Sequence, residues 1–363
     1  MFLKYHRCLL YPKFWPSPSL PISPGAAAYP NAPHISSGTK QVLVAFGDSY
    51  TYIQGTTGYP NFTFIGSYLP DEFAFTPSTL LRTRIVQNFT ATAQGGPNWV
   101  EYLTGCGLKD NTTTLPSSCD MQLWDFAFAG ADISQQYLPL HHDYTIPLVN
   151  QTQRYLTYAE PTLRKRLDKK NSLVAIWIGI NDVNDSLRLL PNASSSSSSS
   201  YVEFWNTLIS TVFAQSVKPL LDAGYANLLV VNLPPLDRTA ANQKLNNPRP
   251  NKQEVAWWNA ALVAHASTFA EENPEARTMV YDANTFLNAV MDEPAKYAIV
   301  NTTSWCPGYN QLDVLTTPEK YGCGKLDEYF WYNSGHLTSH VHKIMVPDLV
   351  KFLRSESKKY RKC

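Results

Sequence analysis

The stretch Val42–Tyr50 reads Val-Leu-Val-Ala-Phe-Gly-Asp-Ser-Tyr, an apolar run that ends abruptly in small polar residues. A short run of apolar and β-branched residues is typical of a strand buried on both faces of a parallel sheet. Such a strand delivers the residues that follow it to the carboxyl edge of the sheet, where open α/β folds bind their ligands. The sequence therefore predicts that Ser49 lies at a ligand-binding edge, with Asp48 beside it.

Four further apolar runs predict strands of the same kind, over Leu123–Ala129, Leu173–Ile178, Leu228–Leu233 and Thr278–Tyr281. Helical patterns alternate with them, over Val149–Leu167, Tyr201–Leu221, Glu254–Glu271 and Thr338–Ser355. This alternation favours a parallel, doubly wound sheet, and right-handed crossovers place all carboxyl ends of its strands at one edge. We expect a three-layer α/β/α fold with a mostly parallel, five-stranded sheet.

The chain shows no internal repeat and no sign of a second core, so we expect one domain over residues 40–358. Residues 1–39 are rich in Pro, Ser and Ala and indicate a leader or disordered arm. The serine tract at 194–200 indicates a solvated, low-complexity loop. Residues 50–120 form a long irregular segment, which we expect to cover the sheet edge and to help form a substrate cleft.

Net charge is +1 and no basic stripe occurs, which argues against binding of nucleic acid or of an anionic membrane surface. No apolar run reaches the length of about 18 residues that a transmembrane helix needs, so we expect no membrane insertion. Oligomeric state is left open. Sequons for N-glycosylation are dense, as suits a secreted glycoprotein, and they lie at Asn61, Asn88, Asn111, Asn150, Asn184, Asn192 and Asn301.

Two cysteine pairs each bracket a polar loop, Cys106 with Cys119 and Cys306 with Cys323. In an oxidising compartment such pairs form disulfides, and the alternative is four buried thiols. No Cys-x-x-Cys or Cys/His cluster is present, so we expect no metal site. Charged residues and prolines interrupt Met1–Trp15, which makes a poor export signal. We still expect secretion, either through a degenerate signal or from a different start.

Three other segments carry chemistry that complements Ser49. Ester hydrolysis needs a nucleophile activated by a base, and donors for the oxygen that becomes negative. The N–H groups of Ser49 and Gly130, the latter after a predicted strand, and the side-chain amide of Asn181 can supply those donors. His336 can act as the base, whereas His340 and His342 are assigned to the last helix. Each segment alone is typical of a turn, but their order and their positions at strand ends favour a hydrolytic site.

Together these segments resemble the GDSL, or SGNH, hydrolases, block by block from Gln41 to Leu353. The resemblance implies the flavodoxin-like fold of that family, with Ser49 as nucleophile and His336 as base. It also implies an oxyanion hole formed by Ser49, Gly130 and Asn181, supported by Asp48 and Asp182. No metal or organic cofactor is implied.

A narrower resemblance is to the fungal secreted acetylesterases of carbohydrate esterase family sixteen, through Trp124–Gly130, Gly96–Val100 and Phe330–Asn333. It implies removal of acetyl groups from hemicellulose-derived sugars, so that the expected partner is a small acylated carbohydrate. Asn98 and Trp99 are the weaker candidates for substrate binding. Aromatic residues suited to stacking on sugars lie at Tyr50, Tyr52, Tyr59, Trp99 and Trp305.

One position departs from the family pattern, because Asn333 stands where an aspartate usually precedes the histidine by three residues. An amide oxygen can orient the imidazole but carries no charge to stabilise its protonated form. Three arrangements are open: Asn333 orients His336 in a weakened role, which we favour, Asp327 replaces it, or a backbone carbonyl does. Two other functions also stand, a lipase or phospholipase of the same fold, for which no lid helix is evident, and a catalytically silent glycan-binding protein.

Overall fold

The computed structural model describes residues 40–58, 62–66, 75–189 and 199–359. The expected arm over residues 1–39 and most of the serine tract lie outside this part of the chain. The strands of the described residues are β1 (Gln41–Gly47), β2 (Ile85–Gln87), β3 (Thr112–Thr114), β4 (Met121–Asp125), β5 (Ser172–Trp177), β6 (Asn227–Val231) and β7 (Arg277–Tyr281). Five of them form one parallel sheet in the order β4-β1-β5-β6-β7.

The α-helices of the described residues are α1 (Pro77–Arg82), α2 (Trp99–Thr104), α3 (Leu148–Arg154), α4 (Glu160–Leu163), α5 (Ile180–Leu189), α6 (Ser199–Val212), α7 (Lys218–Asp222), α8 (Lys252–Glu272), α9 (Ala283–Asp292) and α10 (Ser339–Lys359). Helix α10 packs against α2 and α9, and α6 packs against α8. The expected three-layer α/β/α fold with a five-stranded parallel sheet is confirmed.

Strand β1 lies between β4 and β5, and the reason is its composition. The side chains of Val42 to Phe46 are all fully buried, because helices cover both faces of the sheet. Burying each large apolar side chain contributes about 1.5–3 kcal/mol. A run without polar residues is most stable in such a central position. Ser49, which follows β1, is therefore placed at the carboxyl edge of the sheet between β4 and β5.

The predicted strand over Leu123–Ala129 was too long, since β4 ends at Asp125. The Asp125 carboxylate accepts a hydrogen bond from the N–H of Ala127 at 2.8 Å, which turns the backbone. The N–H groups of Phe126 and Phe128 nevertheless still donate to β1, at Ala45 O and Gly47 O. The chain therefore stays beside β1 until it reaches the turn that contains Gly130.

Two predicted helices are each divided by a short π-helical segment. The helix expected over Val149–Leu167 is α3, then Tyr155–Ala159, then α4. The helix expected over Tyr201–Leu221 is α6, then Phe213–Val217, then α7. A proline near the start of α4 and of α7, Pro161 and Pro219, cannot donate a backbone hydrogen bond, which accounts for the change of pitch before it.

Residues 50–120 are less irregular than expected. They contain α1, α2 and the antiparallel pair β2–β3, and the Cys106–Cys119 disulfide joins the ends of a loop there with a Cα–Cα distance of 5.5 Å. The Cys306–Cys323 disulfide, with a Cα–Cα distance of 5.4 Å, belongs to a second, smaller apolar cluster with Phe89, Val314, Leu326 and Tyr332. Both predicted pairings are confirmed.

Across the described part of the chain, no helix has the apolar length that crossing a bilayer requires. Of the described sequons, Asn111 and Asn184 are exposed, and Asn88, Asn150 and Asn301 are half-buried. The sequons at Asn61 and Asn192 lie outside the described residues.

Candidate active site

The turn that presents Ser49 begins at Gly47, at the end of β1. Gly47 has φ +144°, and a Cβ there would meet the carbonyl oxygen of Trp177 at 2.1 Å, so only glycine fits between β1 and β5. The buried side chain of Gln151 holds both backbone groups of Gly47, accepting from its N–H at 3.0 Å and donating to its carbonyl at 2.9 Å. Close packing against β5 and the two hydrogen bonds from Gln151 therefore fix the start of the turn that carries Ser49.

The residues around Ser49 complete this turn. The carbonyl of Asp48 accepts from the N–H groups of Thr51 and Tyr52, and the carboxylate of Asp48 accepts from the N–H of Tyr50 at 2.9 Å. Gln94 donates its side-chain amide to the carbonyl of Ser49 at 2.8 Å. Asp48 is fully buried, and desolvation raises the pKa of its carboxyl to about 7. These contacts show that Asp48 fixes the turn.

His336 reaches Ser49 across nearly the whole length of the chain. Its Nε2 lies 2.8 Å from the Ser49 hydroxyl oxygen, and its Nδ1 lies 2.9 Å from the side-chain oxygen of Asn333. An amide oxygen can only accept, so Nδ1 carries the proton and Nε2 is free to accept from the serine hydroxyl. This is the tautomer that a general base requires.

Asn333 occupies the place beside His336 Nδ1 that the third member of a catalytic triad would have. Its side-chain oxygen also accepts from the N–H groups of His336 at 2.9 Å and Gly335 at 3.1 Å, so that one atom orders the whole loop. Asp327 lies exposed in the short 3-10 turn Leu326–Glu328, and no contact with His336 occurs among the described residues. The expectation that Asp327 could support His336 is therefore corrected, and the arrangement through Asn333 is the one present.

The electrostatics of this pair differ from those of a charged triad. His336 retains some exposure, yet the protein around its ring removes enough water to lower its pKa to about 4. Among the described residues, no carboxylate contacts its Nδ1 to oppose this effect. The imidazole is consequently neutral over most of the pH range, which keeps Nε2 available as a proton acceptor.

Hydrogen-bond donors for an oxyanion surround Ser49. Among the hydrogen bonds of the described residues, the N–H groups of Ser49 and Gly130 have no acceptor. Gly130 adopts φ +78°, in the left-handed region that favours glycine. Asn181 uses one amide hydrogen on the carbonyl of Ala131 at 2.9 Å, which orients the group and leaves its second hydrogen available.

Asp182 links the two segments that carry Asn181 and Gly130. Its carboxylate accepts from the N–H of Ile133 at 2.9 Å, so the start of α5 is fixed to the segment that follows Gly130. The carboxyl is fully buried, and desolvation raises its pKa well above the ordinary value. Asp182 therefore supports the relative placement of Asn181 and Gly130.

The model of the GDSL-like lipase/acylhydrolase family matches residues 43–347 of the chain. The chain belongs to this family. The GDSL resemblance that the sequence blocks indicated is confirmed, and membership makes the chain a carboxylic ester hydrolase.

Two fungal acetylesterases and a bacterial lipase of known structure are among the proteins similar to this chain. An acetylesterase of Thermothelomyces thermophilus is 26% identical over 269 residues, which cover 72% of this chain and 77% of that protein. An acetylesterase of Hypocrea jecorina is 21% identical over 342 residues, covering 87% and 89%. Among solved structures, an extracellular lipase from Streptomyces rimosus aligns with a TM-score of 0.37 and 13% identity, covering 86% of this chain and 99% of that chain.

The two weaker candidates for substrate binding have structural roles in this GDSL chain. Asn98 and Trp99 are fully buried. Asn98 caps α2 and donates to the carbonyls of Thr51 and Tyr52 at 2.8 and 2.9 Å, while the indole N–H of Trp99 donates to the hydroxyl of Thr51 at 3.3 Å. The expectation of substrate contact is corrected, because both side chains instead hold the loop that follows the serine.

The aromatic residues expected to stack on sugars are mostly buried too. Tyr50 and Tyr52 are 1% and 4% exposed, and Trp305 is half-buried under the ammonium group of Lys244. Tyr59 lies outside the described residues. Packing in the core, rather than contact with a sugar, therefore accounts for the positions of Tyr50, Tyr52 and Trp99.

Three positioning contacts escaped sequence reasoning. Gln151 and Gln94 hold the serine turn from distant segments, and the Tyr50 hydroxyl donates to the carbonyl of Gly335, joining the serine turn to the histidine loop. No local pattern marks these residues, because a glutamine in a helix or loop is ordinarily exposed. His340 and His342 do lie in α10 as predicted.

Proposed function

We propose that the protein is a secreted serine esterase that removes acetyl groups from small acylated sugars of the hemicellulose type. The observation that carries the proposal is the contact of 2.8 Å between the Ser49 hydroxyl and His336 Nε2, beside N–H donors that have no acceptor among the described residues. The names of two of the relatives described above, both acetylesterases, support the choice of acyl group.

In the first half-reaction, the Ser49 oxygen attacks the acyl carbon while its proton passes to His336 Nε2. The carbonyl oxygen becomes negative and receives hydrogen bonds from the N–H groups of Ser49 and Gly130 and from the free amide hydrogen of Asn181. Each such donor is worth about 3–4 kcal/mol in well-studied hydrolases. The imidazolium then gives its proton to the departing sugar oxygen, which leaves an acetyl ester on Ser49.

In the second half-reaction, a water molecule takes the place of the sugar. His336 Nε2 accepts a proton from this water, whose oxygen attacks the acetyl carbon, and the same donors hold the oxyanion. Collapse of the intermediate returns the proton from His336 to Ser49 and releases acetate. Asn333 contributes orientation throughout, since its oxygen fixes the ring but adds no negative charge.

Two observations support export from the cell. The paired cysteines form disulfides that suit an oxidising compartment, and exposed sequons such as Asn111 suit glycosylation. Mass spectrometry of the native protein after treatment with an N-glycosidase tests this part, because it shows whether Asn111 carries a glycan. Glycan-free asparagines in protein from the native host contradict it.

The activity is tested with nitrophenyl esters of increasing acyl length and with acetylated xylo- and manno-oligosaccharides. Wild type is expected to prefer the acetate ester and to release acetic acid from the sugars. Ser49→Ala is expected to lose this turnover, with Ser334→Ala as the matched control in the histidine loop. A Ser49 peptide that carries one acetyl group, trapped by acid quenching, identifies the acyl-enzyme.

The other two functions give different results in the same assays. A preference for long acyl chains identifies a lipase, an activity that the family description also covers. Sugar binding without turnover identifies a silent binder. Either result contradicts the proposed acetylesterase activity.

A further inference from the structure

A cluster of metal-ligating side chains lies beside the oxyanion hole and takes no part in the reaction described above. Asp132 follows Gly130 by two residues, His141 lies in the loop that leads to α3, and Asp185 lies on α5, one turn after Asn181. One ligand atom from each of the three side chains lies within 4.8 Å of the other two. The cluster thus spans the two segments that supply two of the oxyanion donors.

Asp132 is the unusual member of this cluster. It is only 2% exposed, and neither of its carboxylate oxygens has a hydrogen-bond partner among the described residues. One oxygen of the neighbouring Asp182, which is fully buried, also has no partner. A buried carboxylate without hydrogen bonds is strongly destabilised, so something must compensate its charge.

The described protein groups nearby supply only part of that compensation, because His141 attracts Asp132 across the cluster without a hydrogen bond to it. The Nε2 of His141 lies 2.5 Å from Asp185 Oδ2, and Arg188 binds the other oxygen of Asp185 at 3.1 Å from a largely exposed position. Both cationic groups are therefore directed at Asp185. Asp132 and Asp182 keep an excess of negative charge, which either protons or a cation must balance.

We propose that Asp132, His141 and Asp185 bind a divalent cation of the zinc or manganese type. One imidazole nitrogen and two carboxylate oxygens form a donor set typical of these ions, whereas calcium prefers oxygen ligands alone. Small movements of these side chains bring their ligand atoms into a common coordination shell, and water completes it.

The ion acts as a clamp rather than as a reactant. The His141 ring stands against Gly130, whose Cβ position is 3.2 Å from Nδ1 of that ring. An ion held by Asp132 and His141 on the loop and by Asp185 on α5 fixes Gly130 relative to Asn181. Metal binding therefore stabilises the oxyanion hole in its folded arrangement.

The test uses the purified protein, stripped of metal with a chelator and then desalted. Equilibrium dialysis against zinc, manganese or calcium chloride, followed by elemental analysis, is expected to show one zinc or manganese ion per chain. The same ions are expected to raise the Tm by about 4 °C or more at concentrations well above the Kd. Absence of a bound ion, or a larger effect of calcium than of zinc, overturns the proposal.

Variants assign the ion to this cluster. Asp132→Asn and His141→Ala are expected to lose both the bound ion and the Tm rise. His142→Ala is the matched control, because this exposed histidine is adjacent in sequence but packs on Tyr144 instead. Circular dichroism verifies folding, and Asp185→Asn replaces a variant that fails to fold. The proposal is overturned if the folded Asp132→Asn or His141→Ala variant retains the ion. It is also overturned if His142→Ala loses the ion while the variants of the cluster keep it.

Discussion

Replacing Asn333 with aspartate is expected to move the acid limb of the activity profile to higher pH. The new carboxylate keeps the three hydrogen bonds that the amide oxygen accepts, two of them from backbone N–H groups that favour its ionised form. It also places a negative charge beside His336, with 2.9 Å between the hydrogen-bonded atoms. The protonated form of the imidazole is therefore stabilised.

The magnitude follows from Coulomb's law. With the charge centres about 4 Å apart and an effective dielectric constant of about 20, the attraction is about 4 kcal/mol. This corresponds to roughly 3 pKa units. The pKa of His336, lowered to about 4 in the wild type by burial, is thus expected near 7 in Asn333→Asp.

The sign of the effect differs at the two ends of the profile. Below the new pKa more of the imidazole is protonated and cannot act as a base, so activity is lost at a higher pH than in the wild type. Above it the base is stronger, and a Brønsted slope near one half gives a rise in kcat/KM of roughly 30-fold.

The assay is kcat/KM for nitrophenyl acetate from about pH 3 to about pH 9, since this parameter reports the pKa values of the free enzyme. Gln215→Glu adds the same charge at an exposed position in the segment Phe213–Val217 and is expected to leave the profile unchanged. Asn333→Ala is expected to lose activity without a shift of the acid limb. An acid limb at the same pH in Asn333→Asp and wild type refutes the assignment of His336 as the titrating base.

Three other changes have defined expectations. Asn181→Ala removes one oxyanion donor and is expected to lower kcat by about 10²–10³ with little change in KM, measured on nitrophenyl acetate; an unchanged kcat excludes that role. Tyr50→Phe leaves the carbonyl of Gly335 without its donor and is expected to cost about 1–3 kcal/mol in the free energy of unfolding, measured with denaturant, whereas an unchanged midpoint means that the tie contributes nothing. Burial raises the pKa of Asp48 to about 7 and that of Glu101 to about 8. The folded state thus holds protons that the unfolded chain has released, and the Tm is expected to fall between about pH 6.5 and about pH 8; a Tm that rises over this interval contradicts it.

Much of the site could be predicted because it depends on strand ends. Ser49 and Asn181 each follow a buried apolar run, and parallel strands deliver their carboxyl ends to one edge, so local pattern and topology together imply that they meet. Gly130 was predicted for the wrong local reason, since β4 ends five residues earlier. It still reaches the site because the chain continues to bond to β1 through Phe128.

The partner of His336 could not be predicted in the same way. Asn333 and Asp327 lie in one loop, and which of them faces the ring depends on the path of that loop over the sheet edge. The same holds for Asn98 and Trp99. They lie in a segment that resembles the family, but their side chains are buried and hold the serine loop. Motif membership alone does not separate a residue that touches substrate from one that positions the backbone.

The sequence by itself determined the order of the elements, the parallel sheet and the choice of Ser49, His336 and Asn181 as the proposed nucleophile, base and amide donor, because hydrophobic periodicity and strand ends are local properties of the chain. Only the tertiary structure decided that Asn333 orients the base, that Gln151 and Gln94 hold the serine turn, and that Asp132, His141 and Asp185 converge beside Gly130. The physical reason is that these contacts join segments whose loops have no periodic pattern, so their meeting is set by packing of the whole core rather than by any stretch of sequence.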